Sequence, residues 1–298
     1  RASIMSGRYP ARVGVTHYIG GDDKGKVLCP PYTRHLPLEE TSLAAALNEG
    51  GYQTWHLGKW HLGEEPCWPE KHGFEVNVGG CHFGHPSHGY FAPYKIPTLP
   101  EGPDGEYLTD RITDEAIRLL ENRDDRPFFM NLWYYTVHTP IQAKQETIEA
   151  FRRKRAQMGL DEGAEFEDGE YFPCDHKRRH RVRRRLVQSD PVYAAMIKHL
   201  DDNVGRILAV LEAEGTLDNT LILFTSDNGG LSTAEGSLTC NLPLAEGQGW
   251  MYEGGTREPL LVRWPERVAA GSRCDVPVTS PDFYPTLLEA AGLPARPE

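Results

Sequence analysis

Apolar positions along the chain switch repeatedly between a helical period and strand-like runs. Thr41 to Glu49 reads as a short helix, with Thr41 as its N-cap and Gly50 and Gly51 as its stop. The strand-like segment Tyr52-Gln53-Thr54-Trp55-His56-Leu57 follows at once. Leu108 to Asn122 carries Ile112, Ala116, Leu119 and Leu120 at helical spacing, and Pro127 to Val137 is aromatic and β-rich. A long amphipathic helix is predicted from Pro191 to Glu214, with Met196, Leu200, Val204, Ile207, Leu208 and Leu211 on one face. The run Thr220-Leu221-Ile222-Leu223-Phe224-Thr225 is continuously apolar, which predicts a strand buried on both faces. Pro259 to Trp264 adds a further strand, and Pro281 to Ala291 a closing helix ended by Gly292. Alternation of this kind predicts an α/β sandwich: a mainly parallel sheet with helices on both faces. In such sheets, function collects where strands end and loops begin.

Composition narrows the function classes. The 298 residues include 32 Lys and Arg against 43 Asp and Glu, a net charge of −11 that argues against nucleic acid as a partner. No run approaches the roughly 20 apolar residues that a bilayer crossing needs, so no membrane span is expected. Six cysteines are spread without a C-x-x-C pair, so neither a zinc knuckle nor a disulfide framework is legible. One segment departs from the rest: residues 161–185 pass from an acidic half into the basic run Lys177 to Arg185, the pattern of a charged surface insertion. The run can contact a polyanionic glycan or simply face water.

Candidate chemistry gathers at the strand ends. Gly58-Lys59-Trp60-His61-Leu62-Gly63 follows the first strand and sets a cation beside a proton-transfer group, although a solvated turn would read the same. Val137-His138-Thr139-Pro140 closes the second, with a single histidine that a hydrogen-bonded structural role would also explain. Thr225-Ser226-Asp227-Asn228-Gly229-Gly230 offers hard oxygen ligands beside glycines that permit close backbone approach, which suits Mg²⁺ or Ca²⁺ as well as a plain Asn-Gly turn. Arg1 to Pro10 reads as a helix start closed by a glycine turn, a natural place for an anion. The tract Cys81-His82-Phe83-Gly84-His85-Pro86-Ser87-His88-Gly89-Tyr90 fits a substrate loop, a metal tract or an ordinary loop.

Taken in order, these segments resemble the sulfatase family of the alkaline-phosphatase superfamily over essentially the whole chain. Arg1 to Gly7 matches the tail of C-x-P-S-R-x-x-x-x-T-G, with Ser6 at its Thr, and Lys59-Trp60-His61 matches G-K-W-H-L-G. His138, Ser226-Asp227-Asn228-Gly229 and Tyr252-Glu253-Gly254-Gly255-Thr256-Arg257 follow in family order. The resemblance implies hydrolysis of sulfate esters of a carbohydrate or an aryl alcohol by a formylglycine made from Cys or Ser. Its hydrate attacks sulfur, the alcohol leaves, and the sulfated hemiacetal collapses. Carried across, Arg1 orients the nucleophile, His61 hydrogen-bonds it, Lys59 neutralises a sulfate oxygen and His138 protonates the leaving group. Asp227 and Asn228 hold a divalent metal, Ca²⁺ in preference to Mg²⁺, and Lys59, His138, Gln248 and Arg257 bind substrate. A formylglycine-generating maturation enzyme and a periplasmic or secreted location are implied in the same way.

Two departures from the family pattern set further expectations. The family's nucleophile would lie four positions before Arg1, and an early strand with an acidic pair would precede that. Residues 1–298 are therefore expected to be an incomplete catalytic domain, short of that strand and of a C-terminal subdomain, inactive alone and marginally stable. In addition, Gln248 stands where the family carries Lys, which weakens sulfate binding or alters the preferred leaving group. Two alternatives stay open: a phosphate or phosphonate monoester hydrolase of the same superfamily, and a non-catalytic anion- or glycan-binding homologue.

Overall fold

Helix α1 (Ala2–Ser6) ends at Gly7, whose φ of 67° lies in the left-handed region that terminates helices. The computed structural model describes residues 1–21 and 28–296. A single turn, α2 (Pro10–Val13), precedes α3 (Leu43–Glu49). The cap of α3 is Ser42 and not Thr41: its hydroxyl accepts from Ala45 N while donating to His72 O, so one side chain closes the helix and ties it to the next loop.

Strand β1 (Gln53–Gly58) is buried at every position. It lies centrally between β2 (Val76–Val78) and, beyond helix α4 (Leu108–Glu121), strand β3 (Phe128–Trp133). All three run parallel, with His56 opposite Asn131 and Gly58 opposite Trp133. Alternate β1 side chains enter different layers. Trp55 and Leu57 join a core with Ile112, Leu120, Met196 and Leu211, whereas His56 packs edge-on against Trp60 and Phe74 on the opposite face. That second core contains Met5, Leu43, Leu47, Tyr284 and Leu288. The sheet is thus covered on both faces, as the alternating sequence signals predict.

The remainder is less regular. Helix α5 (Gln145–Gln157), which has only a weak apolar face, leads to the hairpin β4 (Phe166–Tyr171) and β5 (Arg181–Arg185). The charged segment is therefore an antiparallel ribbon in which acidic β4 faces basic β5, with Glu167 opposite Arg184 and Asp168 opposite Arg183. Helix α6 (Pro191–Ala213) is capped by Asp190, which accepts from Val192 N and Tyr193 N. Its buried stripe differs from the expected one. His199 and Asn203 are buried while Leu200 and Leu208 are only half-buried, because α6 packs on α4, where Asp110 accepts 2.7 Å from Asn203 Nδ2.

Strand β6 (Ile222–Thr225) overturns a second expectation. After the turn α7 (Glu253–Thr256) comes β7 (Leu260–Arg263), and β6 pairs antiparallel with it alone among the described residues. Ile222 packs at the edge of the core, but Phe224 is 39% and Leu261 62% exposed, so the ribbon is not buried on both faces. Helix α8 (Phe283–Ala290) closes the chain against α1 and α3, with Tyr284 Oη donating to Thr41 O. Among the described residues no helix is long and apolar enough to cross a membrane.

Candidate active site

The backbone geometry at the end of β1 sets the first functional side chain. Gly58 has φ 91°, and a Cβ there would fall 2.1 Å from Trp133 O, so only glycine lets β1 and β3 approach this closely. Lys59 N then donates to that same carbonyl at 2.7 Å, and the Lys59 side chain enters the interior, 8% exposed. Burial, with Arg1 nearby, pushes the Lys59 amine down to about 7, and Asp227 partly opposes this.

Two residues on, His61 adopts φ 54°, a left-handed conformation that costs a non-glycine residue energy and is overdetermined here. Its N–H donates to Cys81 O at 2.9 Å, and Nε2 donates to Ile19 O at 2.9 Å. That bond leaves Nδ1 as the acceptor of the neutral ring. Gly84 lies against the imidazole so closely that a Cβ would stand 2.7 Å from the ring. Desolvation and the Lys59 charge hold His61 down to about 4.

His138 follows β3. Its Nδ1 donates to Thr139 O at 2.9 Å, which leaves Nε2 as the second ring nitrogen for proton exchange. Tyr90 Oη donates to His138 O at 2.9 Å and fixes the backbone. The His85 ring stacks on His138 with centroids 5.8 Å apart. Burial, together with Lys59 and His85, lowers the His138 pKa. His56, two residues before Gly58, is by contrast structural: it accepts from Asn131 Nδ2 and donates to Gly58 O, and burial drives it to about 3.

The strand-end Asp227 receives the Arg1 guanidinium at 2.8 Å, and Arg1 also lies 5.1 Å from the centroid of the Trp133 ring. Although burial favours the neutral acid, Arg1 and Lys59 keep Asp227 below its ordinary range. The following glycines are packing necessities: a Cβ on Gly229 would stand 1.7 Å from Gly254 O. Gly229 N donates to Gly255 O, and the Ser226 hydroxyl to Asn228 O, so the Glu253-Gly254-Gly255 turn clamps the Asp227-Asn228 loop.

Arg1, Lys59, His61, His138 and Asp227 thus come together from distant segments. The Gln248 backbone N–H donates to Gly230 O at 3.1 Å, three residues beyond Asp227. Arg257 is 64% exposed and pairs with Glu253 one turn away, so its charge is directed along α7. Three site residues escaped the sequence reading. His85 lay in the histidine tract but had no distinguishing spacing; Glu235, which accepts from Thr139 Oγ1 at 3.2 Å, lies in a featureless loop. Glu258 is held up to about 7 by burial and by Asp227, and its Oε1 is buried without a partner. Its place beside Arg257 is a signal that could have found it.

Hard oxygen donors at this strand end are Asp227, Asn228 and Glu258, whose Oε1 has no hydrogen-bond partner among the described residues. They suit a hard divalent cation in chemical type. Among the described residues no group of three or more His, Cys, Asp or Glu side chains converges as a metal cluster.

A parallel sheet between two helical layers, with its cationic and histidine side chains at strand ends, is the alkaline-phosphatase-like fold. Solved structures agree. That of Ps i-CgsB superposes with a TM-score of 0.73 at 29% identity, covering 99% of this chain and 61% of that one. Phosphonate monoester hydrolase of Agrobacterium radiobacter, at 19% identity and TM-score 0.57, shares the fold alone over 98% of this chain and 63% of its own. The chain belongs to the sulfatase family, whose model matches residues 1–293. Arylsulfatase J of Mus musculus is 30% identical across 98% of this chain and 44% of its own length. N-acetylgalactosamine-6-sulfatase of the same organism is 28% identical across 98% and 53%. The chain spans about half the length of these curated relatives.

Proposed function

We propose that this chain carries the anion-binding and proton-transfer side of a sulfuric ester hydrolase acting on sulfated carbohydrates, with aryl sulfates as minimal substrates. The observation that supports it most is the buried Lys59 amine, held near neutrality between Arg1 and Asp227 and beside two histidines. A sulfate monoester carries its charge on non-bridging oxygens and releases an alkoxide, so it needs a desolvated cation and a proton donor on opposite sides.

The formylglycine hydrate and divalent cation that the resemblance implies would supply, respectively, a nucleophile for sulfur and its activation. Asp227 and Asn228, with Glu258, are the oxygen donors that would hold the cation, Ca²⁺ in preference to Mg²⁺. The chain's own groups account for the rest. Lys59 and Arg1 bind and orient the sulfate oxygens; bound anion restores the Lys59 proton by opposing its desolvation. His61 offers Nδ1 as an acceptor that orients the attacking hydroxyl. In its imidazolium form His138 carries the transferable proton at Nε2 for the departing oxygen, while Nδ1–H donates to Thr139 O and orients the ring.

Homologue names favour a carbohydrate: one relative is an N-acetylgalactosamine-6-sulfatase, and one structural neighbour was crystallised with k-i-k-neocarrahexaose. The test is turnover of 4-nitrophenyl sulfate by the full-length protein, with 4-nitrophenyl phosphate and phenylphosphonate esters as competitors for the assignment. Preferred sulfate turnover that falls at least about a hundredfold in Lys59→Met supports the reading. Preferred phosphonate turnover would sink it in favour of the related hydrolases, and anion binding without turnover would make the protein a binding homologue.

A further inference from the structure

The β4–β5 ribbon divides its basic residues into two sets. Arg184 is spent on Glu246 and Glu170, and Arg185, 5% exposed, on Glu165 at 3.2 Å. The Glu246 pair fastens the hairpin to a distant loop, whereas the Glu170 and Glu165 pairs tie its two strands together. Lys177, Arg181 and Arg183 form no ion pair with a carboxylate among the described residues. Instead they lie over the rings of Phe172, Tyr171 and Phe166, at 5.4, 5.6 and 4.0 Å, which holds extended cations in place without neutralising them.

All but Tyr171 and Phe166 of this set line one open cleft of about 320 Å³, whose opposite wall is the Thr233–Ser237 loop. That loop is locked to β5 at both ends of Ser237: its hydroxyl donates to Arg183 O, and its carbonyl accepts from Arg185 Nε. Glu235, in the cleft wall, receives the Thr139 hydroxyl at 3.2 Å, and Thr139 adjoins His138. The cleft therefore begins on the leaving-group side of the proposed reaction centre. Trp250, which donates to Thr233 Oγ1 at 3.0 Å, lies tilted against Phe172 with ring centroids 6.1 Å apart and supplies an aromatic face of the kind that sugar rings pack on.

We infer that this cleft is a second anion subsite, which binds a sulfate or carboxylate of an oligosaccharide whose scissile ester lies at His138. Charge runs along it: the Glu235 carboxylate at the inner end suits hydroxyls of the sugar that carries the ester, and Lys177, Arg181 and Arg183 at the outer end suit an anionic group further out. The assignment deepens the proposed function and rests on it for the ester's position, whereas the binding itself can be measured without turnover.

The experiment titrates a heparin-derived hexasaccharide into the full-length protein and into Arg181→Ala/Arg183→Ala by calorimetry, alongside 4-nitrophenyl sulfate kinetics. A loss of about tenfold or more in hexasaccharide affinity, with a shallower salt dependence and unchanged 4-nitrophenyl sulfate turnover, is the expected result. Should the double variant misfold, Lys177→Gln, on the 3₁₀ turn outside the ribbon, must show a smaller loss in the same direction. Equal affinity in wild type and variants overturns the subsite. So does single-stranded oligothymidylate binding as tightly as the hexasaccharide, which would make the cleft a nucleic-acid groove. If 4-nitrophenyl sulfate is not turned over yet the hexasaccharide losses appear, it is the proposed reaction that fails and the subsite that stands.

Discussion

Arg1 and Asp227, one opening helix α1 and the other ending strand β6, meet at 2.8 Å in a region that also contains the Lys59 amine. This pair, with Lys59, holds Asp227 below the ordinary carboxylate range although burial pushes the other way, and it offsets part of the repulsion between Arg1 and Lys59. Asp227→Asn removes the charge that holds both cations and weakens one oxygen donor. In the full-length protein, kcat/KM for 4-nitrophenyl sulfate should fall at least about a hundredfold. Chelation by EGTA should lower wild-type activity and added Ca²⁺ should restore it; activity indifferent to the chelator would remove the metal from the proposal.

Lys59 gives a pH signature. Its folded pKa of about 7 lies below the ordinary 10.5, so the unfolded chain binds the extra proton between those values. Stability therefore rises with pH across that window, and the penalty is fully present below it. Lys59→Met should melt higher than wild type at pH below 7, with the difference shrinking toward pH 10.5. Substrate affinity moves oppositely, since the amine loses its charge as pH rises through about 7. Calorimetric melts of both proteins across pH check the first, and KM profiles the second.

His138 is the proposed proton donor to the leaving oxygen. Because its pKa is lowered, the protonated fraction in the free protein falls at a pH below the ordinary histidine value, and kcat/KM should decline on that limb. His138→Ala should cost about a hundredfold to ten-thousandfold with a sugar sulfate and far less with 4-nitrophenyl sulfate, whose phenolate leaves unaided. Equal losses on the two substrates would contradict the role.

Gly229→Ala tests the clamp on the Asp227-Asn228 loop. With a Cβ directed into Gly254 O, the loop or the Glu253-Gly254-Gly255 turn must shift, at a cost of about 3 kcal/mol. Urea denaturation of the two proteins measures it, and a variant as stable as wild type would mean that this contact relaxes freely.

Gln248→Lys restores a cation at a position whose backbone is already hydrogen-bonded to Gly230 of the Asp227 loop. We expect KM for a sulfate ester to drop several-fold, with the gain vanishing at high salt. No change would mean that a lysine at this position adds nothing to sulfate binding and that Gln248 does not weaken the site.

Much of this protein is local and so was readable in order. The alternation that places β1 between two apolar layers, the glycine stops after α1 and α3, and the ordered motifs at Lys59, His138 and Asp227 depend on neighbours in sequence. The boundaries of α4 and α6 fall within a residue or so of the expected ones for the same reason. Burial is different, because it depends on what a distant segment supplies. The apolar run of β6 looks like an interior strand, yet among the described residues it has only β7 beside it; the stripe of α6 turns toward Asn203 because Asp110 of α4 offers an acceptor. Likewise a run of arginines does not reveal which charges are neutralised. Only the tertiary structure sets Glu246 and Glu165 against Arg184 and Arg185, leaves Arg181 and Arg183 over aromatic rings, and lowers a lysine toward neutrality by enclosing it beside Arg1. Sequence determines which chemical groups are present and their local geometry; desolvation and through-space charge decide what state those groups are in.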